Sequence, residues 1–124
     1  VSIAAILAMQ SRILVMDEPT AGQDYQNFMS FMDAIVQLPS FESILFITHD
    51  IDLAVIFANR ILLVNDGRIV RDGTPFEVLK DLDVLVENRL VPTSLLKENL
   101  KNYAEIGRFL RVEHLAHRIN GILE

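Results

Sequence analysis

The chain has no cysteine, no tryptophan, five glycines, and eleven basic residues against seventeen acidic ones. Without cysteine there are no disulfides and no thiolate metal sites, a composition compatible with a reducing compartment. The glycines are Gly22, Gly67, Gly73, Gly107 and Gly121, and none precedes a lysine. A G-x-x-x-x-G-K-[ST] loop, whose backbone N–H groups cradle phosphates, is therefore absent from these residues. With a net charge of −6, a pI near 5.0 and scattered basic side chains, the chain offers no electrostatic footprint for a nucleic-acid backbone, and no nucleic-acid partner is expected. The apolar run near the start, residues 3–9, falls far short of the roughly 20 residues that cross a bilayer. Val1 and Ser2 supply neither the basic charge nor the initiating methionine of a signal peptide. The chain reads as a piece of something longer.

What is present is apolar material in short runs. The hydrophobic fraction is 51% and the mean hydropathy +0.31 over 124 residues. That length buries roughly two-thirds of the unfolded surface, enough for one domain with a core. Residues 2–9 (SIAAILAM) read as the end of a buried helix, because alanines favour helix and no turn residue interrupts them. The run at 13–16 suits a central strand. Residues 25–38 place Phe28, Phe31 or Met32, Ile35 and Leu38 at helical spacing, with Asp24 where an N-cap belongs. A second strand spans 44–47 and exits at Thr48-His49-Asp50, and Asp50 can cap a short helix reaching Ala58. A third strand spans 61–64. Asn65-Asp66-Gly67 is a hairpin signal, and 68–71 suits an exposed antiparallel strand.

Strand, helix, strand, helix, strand with continuous apolar strands predicts an α/β fold with a mostly parallel sheet and covering helices. Such sheets bind ligands beyond the carboxyl ends of their strands. Asp17-Glu18 and Thr48-His49-Asp50 both fall at that end, which suggests one shared site. A carboxylate held at the end of a buried strand is what a magnesium ion bridging nucleotide phosphates needs, and Asp17 is the candidate. Pro19 should press Glu18 into extended backbone and preorganise it to face an attacking water. An imidazole at His49 could donate a hydrogen bond to a phosphate developing charge. Against this stands a plainer reading, in which a strand exits into an acidic solvated turn and His49 is a surface residue.

ILVMDEPTAGQD, ILFITHD and ILLVNDGRIVRDGTPFEVL, in this order and spacing, resemble the second half of the ATPase subunit of an ABC transporter, and the opening SIAAILAM resembles the helix after that family's signature sequence. The resemblance covers residues 1–82. It implies a partial P-loop NTPase fold with a closing β-hairpin, ATP and Mg2+ as cofactors, and Asp17 as the metal-binding residue of the Walker B element. It further implies Glu18 as the residue that polarises the hydrolytic water and His49 as the sensor of the γ-phosphate. Ala21, Gly22, Gln23 and Asp24 would form the D-loop at the interface with a second ATPase subunit, identical or not. Gln23 stands where the family usually has Leu, and Tyr25 where it has Pro. The signature sequence and glutamine loop are absent, so these residues alone are not expected to bind ATP tightly or to hydrolyse it.

The Ala-Gly-Gln-Asp variant and the C-terminal segment are most similar to ATPases of energy-coupling-factor importers. That resemblance implies transmembrane transporter subunits as partners and a peripheral position on the cytoplasmic face of the cell membrane. A DNA-repair ATPase of the ABC type would predict long coiled-coil insertions and basic surfaces, and the sequence shows neither. The alternative of another class is a non-enzymatic module serving only assembly or dimerisation.

Residues 83–124 read as a helical C-terminal extension. Val91-Pro92-Thr93-Ser94 is a boundary with an N-cap, and Leu96, Leu100 and Tyr103 share a stripe that Gly107 stops. Phe109, Val112, Ala116, Ile119 and Leu123 are expected to share one apolar face, for core packing or for docking. His114, His117 and Glu113 invite a metal reading, but Arg111 and Arg118 crowd that side and the donor set is small. If neighbouring segments are missing, apolar faces and a sheet edge should be exposed.

Overall fold

The computed structural model describes residues 3–22 and 24–123, so Ser2 and Gln23 lie outside the described residues. Two compact units form, Val1–His49 and Asp50–Glu124, each with its own apolar core, where length alone suggested one.

In the first unit α1 (Ile3–Ala8) leads into β1 (Ile13–Asp17), α2 (Tyr25–Val36) and β2 (Ser43–Ile47). The strands pair in parallel, from Ile13 opposite Ser43 to Asp17 opposite Ile47. Backbone bonds continue past both ends of this ladder: Glu42 N–H donates to Arg12 C=O at 2.8 Å, and Glu18 N–H to Ile47 C=O at 2.7 Å. Asp24 caps α2 as expected, accepting from the Asn27 backbone N–H at 3.0 Å and from Asn27 Nδ2 at 2.9 Å. Side chains on a strand alternate between faces, and α1 and α2 both pack on one of them. Ile6, Leu14 and Ile35 form the core there, with Phe31, Leu38 and Ile44 against it. The other face carries Ile13, Val15, Leu45 and Ile47, exposed at 59%, 58%, 50% and 54%. Helix cover is thus one-sided, because this unit's two helices are spent on a single face. An exposed apolar face is present on this strand pair.

In the second unit α3 (Ile51–Phe57) is capped by Asp50, whose Oδ1 accepts from the N–H groups of Asp52 and Leu53 at 3.0 and 3.3 Å. β3 (Ile61–Asn65) and β4 (Arg68–Gly73) form an antiparallel hairpin with a register shift between Leu63 and Val64. Asp66 and Gly67 both have positive φ, 51° and 72°, the backbone that a two-residue hairpin turn twisted to match its strands requires. β3 pairs with β4, and β1 with β2. The third apolar run therefore closes a hairpin.

Four helices follow: α4 (Pro75–Leu79), α5 (Leu82–Glu87), α6 (Ser94–Ile106) and α7 (Val112–Leu123). Thr74 and Glu77 form a capping box around Pro75. Thr93 caps α6, and Gly107 ends it at φ 74°. Ile51, Val55, Leu63, Val78, Leu79, Leu85, Leu96 and Leu115 belong to one core.

The expected face of α7 is corrected. Val112 and Ala116 are exposed and Leu115 is buried, while the side chains of Ile119 and Leu123 lie outside the described residues. The cause is tertiary. Asn99, 1% exposed, donates from Nδ2 to Leu110 C=O at 2.8 Å and accepts the Leu110 N–H on Oδ1 at 2.7 Å. That pair of hydrogen bonds to the connecting loop sends Leu110 and Leu115 inward.

Candidate functional site

The expected site residues of the first unit gather at the carboxyl end of the parallel pair. Asp17 is the last residue of β1, opposite Ile47. The next residues on either side, Glu18 and Thr48, therefore leave the sheet together. Glu18 Oε1 lies 2.7 Å from His49 Nδ1, and Thr48 Oγ1 donates to Glu18 Oε2 at 3.4 Å. Two partners on β2's exit thus hold the two oxygens of one carboxylate on β1's exit.

Glu18's backbone corrects the reading from Pro19. Its φ is +47°, the left-handed region that bulky residues adopt at a cost, where extended geometry was expected. Pre-proline sterics disfavour the right-handed helical region, and hydrogen bonding decides among what remains. The Glu18 N–H is committed to Ile47 C=O at 2.7 Å, and its C=O accepts from Ala21 N–H at 3.1 Å. To continue the ladder and fold at once into the turn, the chain must reverse at this residue. The strain lies where the carboxylate is presented, a pattern that points towards function.

The side chains of His49 and Glu18 are 86% and 38% exposed, so their contact contributes roughly 0–1 kcal/mol, as solvated pairs do. Its importance is orientation. Asp17 is exposed and has no hydrogen-bond partner among the described residues. Asp50, third in the strand-exit cluster, is engaged as the cap of α3.

Of the expected D-loop residues, Ala21 bonds back to Glu18 and Gly22 takes φ 74° with open space where a side chain would begin. Asp24 caps α2, and Gln23 lies outside the described residues. Thr48's hydroxyl was not among the expected site groups. The signal was its place beside His49 on a strand whose neighbour ends in Asp17-Glu18. In α7, His114 and His117 are exposed, and Arg111 lies over the Phe57 ring, 5.6 Å from its centroid. Among the described residues no three His, Asp or Glu are placed to hold a metal by themselves.

A parallel pair whose exits present Asp-Glu and Thr-His, followed by a hairpin and helices, has the arrangement of an ABC-type ATPase domain. The comparisons agree: the chain is homologous over its whole length to ABC-transporter ATP-binding proteins, and its fold is part of the ABC ATPase fold. The energy-coupling factor transporter ATP-binding protein EcfA2 of Mycoplasma mobile is 36% identical over the whole of this chain and 42% of its own length. EcfA2 of Mycoplasmopsis synoviae is 41% identical over 77% of this chain and 31% of its own length. The solved structure of cbiO1 from Clostridium perfringens, part of the ABC transporter complex cbiONQ, matches with a TM-score of 0.57 and 26% identity. That match covers 95% of this chain and 40% of cbiO1. No family model matches the chain. It spans less than half the length of these relatives.

Proposed function

We propose that this chain contributes the water-activating and phosphate-sensing half of an ATP-hydrolysing subunit in an energy-coupling-factor-like importer. In that role Glu18 polarises the attacking water and His49 reports on the terminal phosphate. Ala21 to Asp24 face a second ATPase subunit, and 83–124 form a helical extension of the ATPase domain. The subunit sits peripherally on the cytoplasmic face of the membrane, against transmembrane partners. The observation that carries the reading is the Glu18–His49 contact of 2.7 Å between the exits of two parallel strands.

Magnesium fits the carboxylate donor present. Asp17 offers an exposed carboxylate without a partner among the described residues, and magnesium in nucleotide sites takes one or two carboxylates plus phosphate oxygens and waters. When bound, the ion neutralises phosphate charge and supplies electrostatic stabilisation. The chain's own contribution is to place Glu18 and His49 together and to hold Glu18 by its backbone. Phosphate-cradling glycines and a signature sequence are lacking here, so hydrolysis requires segments that supply them, and these residues alone are inactive.

The test is Glu18→Gln in the assembled ATPase. It should retain ATP binding and lose turnover by orders of magnitude, since only the water-polarising charge is removed. Unchanged phosphate release would defeat the reading and favour a module serving assembly alone.

A further inference from the structure

We propose that Thr48 is a positioning residue for Glu18, holding carboxylate Oε2 while His49 holds Oε1 and keeping the carboxylate aimed when the imidazole turns to a phosphate. This rests on the function proposed above. The terminal torsion of a glutamate side chain is broad, so a single contact leaves the carboxylate plane free to rotate. Two contacts on separate oxygens fix it, and Thr48 Oγ1 and His49 Nδ1 are placed to do so.

The two partners are unequal. His49's side chain is almost wholly in solvent and can leave for a ligand. Thr48 is half-buried and directly follows β2, whose last residue is opposite Asp17, so its hydroxyl stays at the strand exit. If His49 alone set the carboxylate, then its turning to a phosphate would release Glu18 at the moment orientation matters. The Thr48 contact, 3.4 Å here, is long, as such hydrogen bonds often are before substrate binds.

The experiment measures Mg-ATP turnover by the assembled ATPase with Thr48→Val, Thr48→Ser, Glu18→Gln and the Thr48→Val/Glu18→Gln double variant, with Thr48→Ala as a second hydroxyl-free form should the valine variant fail to fold. Loss of one hydrogen bond to a charged group predicts kcat lower by about tenfold in the hydroxyl-free variants, with KM for ATP unchanged. Thr48→Ser should restore kcat. The double variant should be no slower than Glu18→Gln alone, because residues acting as one unit are not additive. Wild-type kcat in the hydroxyl-free variants, a serine variant as slow as valine, a change confined to KM, or a further tenfold loss in the double variant would each overturn the inference. Unimpaired turnover in Glu18→Gln would instead bring down the reading of the site on which it rests.

Discussion

Glu18's left-handed backbone permits a test of sign. At ordinary negative φ, glycine in a strand is less stable than alanine by about 0.5–1 kcal/mol, because it loses more freedom on folding. At φ +47° alanine carries the Cβ–carbonyl crowding that costs roughly 1–2 kcal/mol, and glycine does not. Subtracting the entropic term at the middle of each range leaves Glu18→Gly more stable than Glu18→Ala by about 0.75 kcal/mol. The contacts to His49 and Thr48 are lost in both variants and cancel, while the ring of Pro19 crowds the Cβ that alanine keeps and glycine lacks, an effect of the same sign.

A difference of this size corresponds to a few degrees in Tm and is within reach of urea unfolding compared at a common slope. Alanine equal to or more stable than glycine would refute the reasoning. Position 18 would then be relaxed extended backbone, and no strain would be stored beneath the carboxylate.

Three other outcomes are expected. Gly107 ends α6 at φ 74° with nothing within 4 Å of an added Cβ, so Gly107→Ala should cost about 1 kcal/mol of backbone strain alone, read as a lower urea midpoint. The hydrogen bonds from Arg60 to Asp72, at 3.0 and 2.8 Å, hold the Asp72 carboxyl below its usual range, an effect of its hydrogen bond to Arg60 first and of their opposite charges to a lesser degree. A lowered folded pKa contributes stability above the unfolded value and loses it as pH falls through the folded one. Asp72→Asn should therefore flatten acid unfolding slightly in that low-pH range, and an identical acid profile would exclude the contribution. The exposed apolar face of Ile13, Val15, Leu45 and Ile47 should drive self-association of the chain alone. Val15→Lys should lower the molecular weight seen by light scattering, and a dilute wild-type monomer would refute this.

Where a local chemical rule governs an element, the sequence was enough to place it. Asp24, Asp50 and Thr93 cap α2, α3 and α6, the Asp66-Gly67 pair turns the hairpin, and Gly107 stops α6. These outcomes depend on residues within four positions of one another. The misreadings needed distant partners. Leu115 enters the core in place of Val112 and Ala116 because Asn99, eleven residues before Leu110, fixes the loop between the helices. Glu18 avoids extended backbone because Ile47, far along the chain, takes its N–H. Helical periodicity and the pre-proline rule were each correct about local cost, and each was outweighed by a bond that no local pattern could reveal.

The candidate site was legible for a different reason. Its geometry follows from strand register, and register is a tertiary fact that leaves a sequence trace when both strands end in distinctive residues. With Ile13 opposite Ser43 and Asp17 opposite Ile47, Glu18 and Thr48 must emerge side by side, with His49 one residue beyond. Slipping β2 by one residue would carry its apolar residues to the opposite face, moving Ile44 and Phe46 into solvent and exchanging the sides on which Thr48 and His49 leave the sheet. The same alternation that keeps Leu14 in the core therefore sets how Thr48 and His49 meet Glu18, and a change in core packing that shifts register would be read out first as loss of the 2.7 Å Glu18–His49 contact.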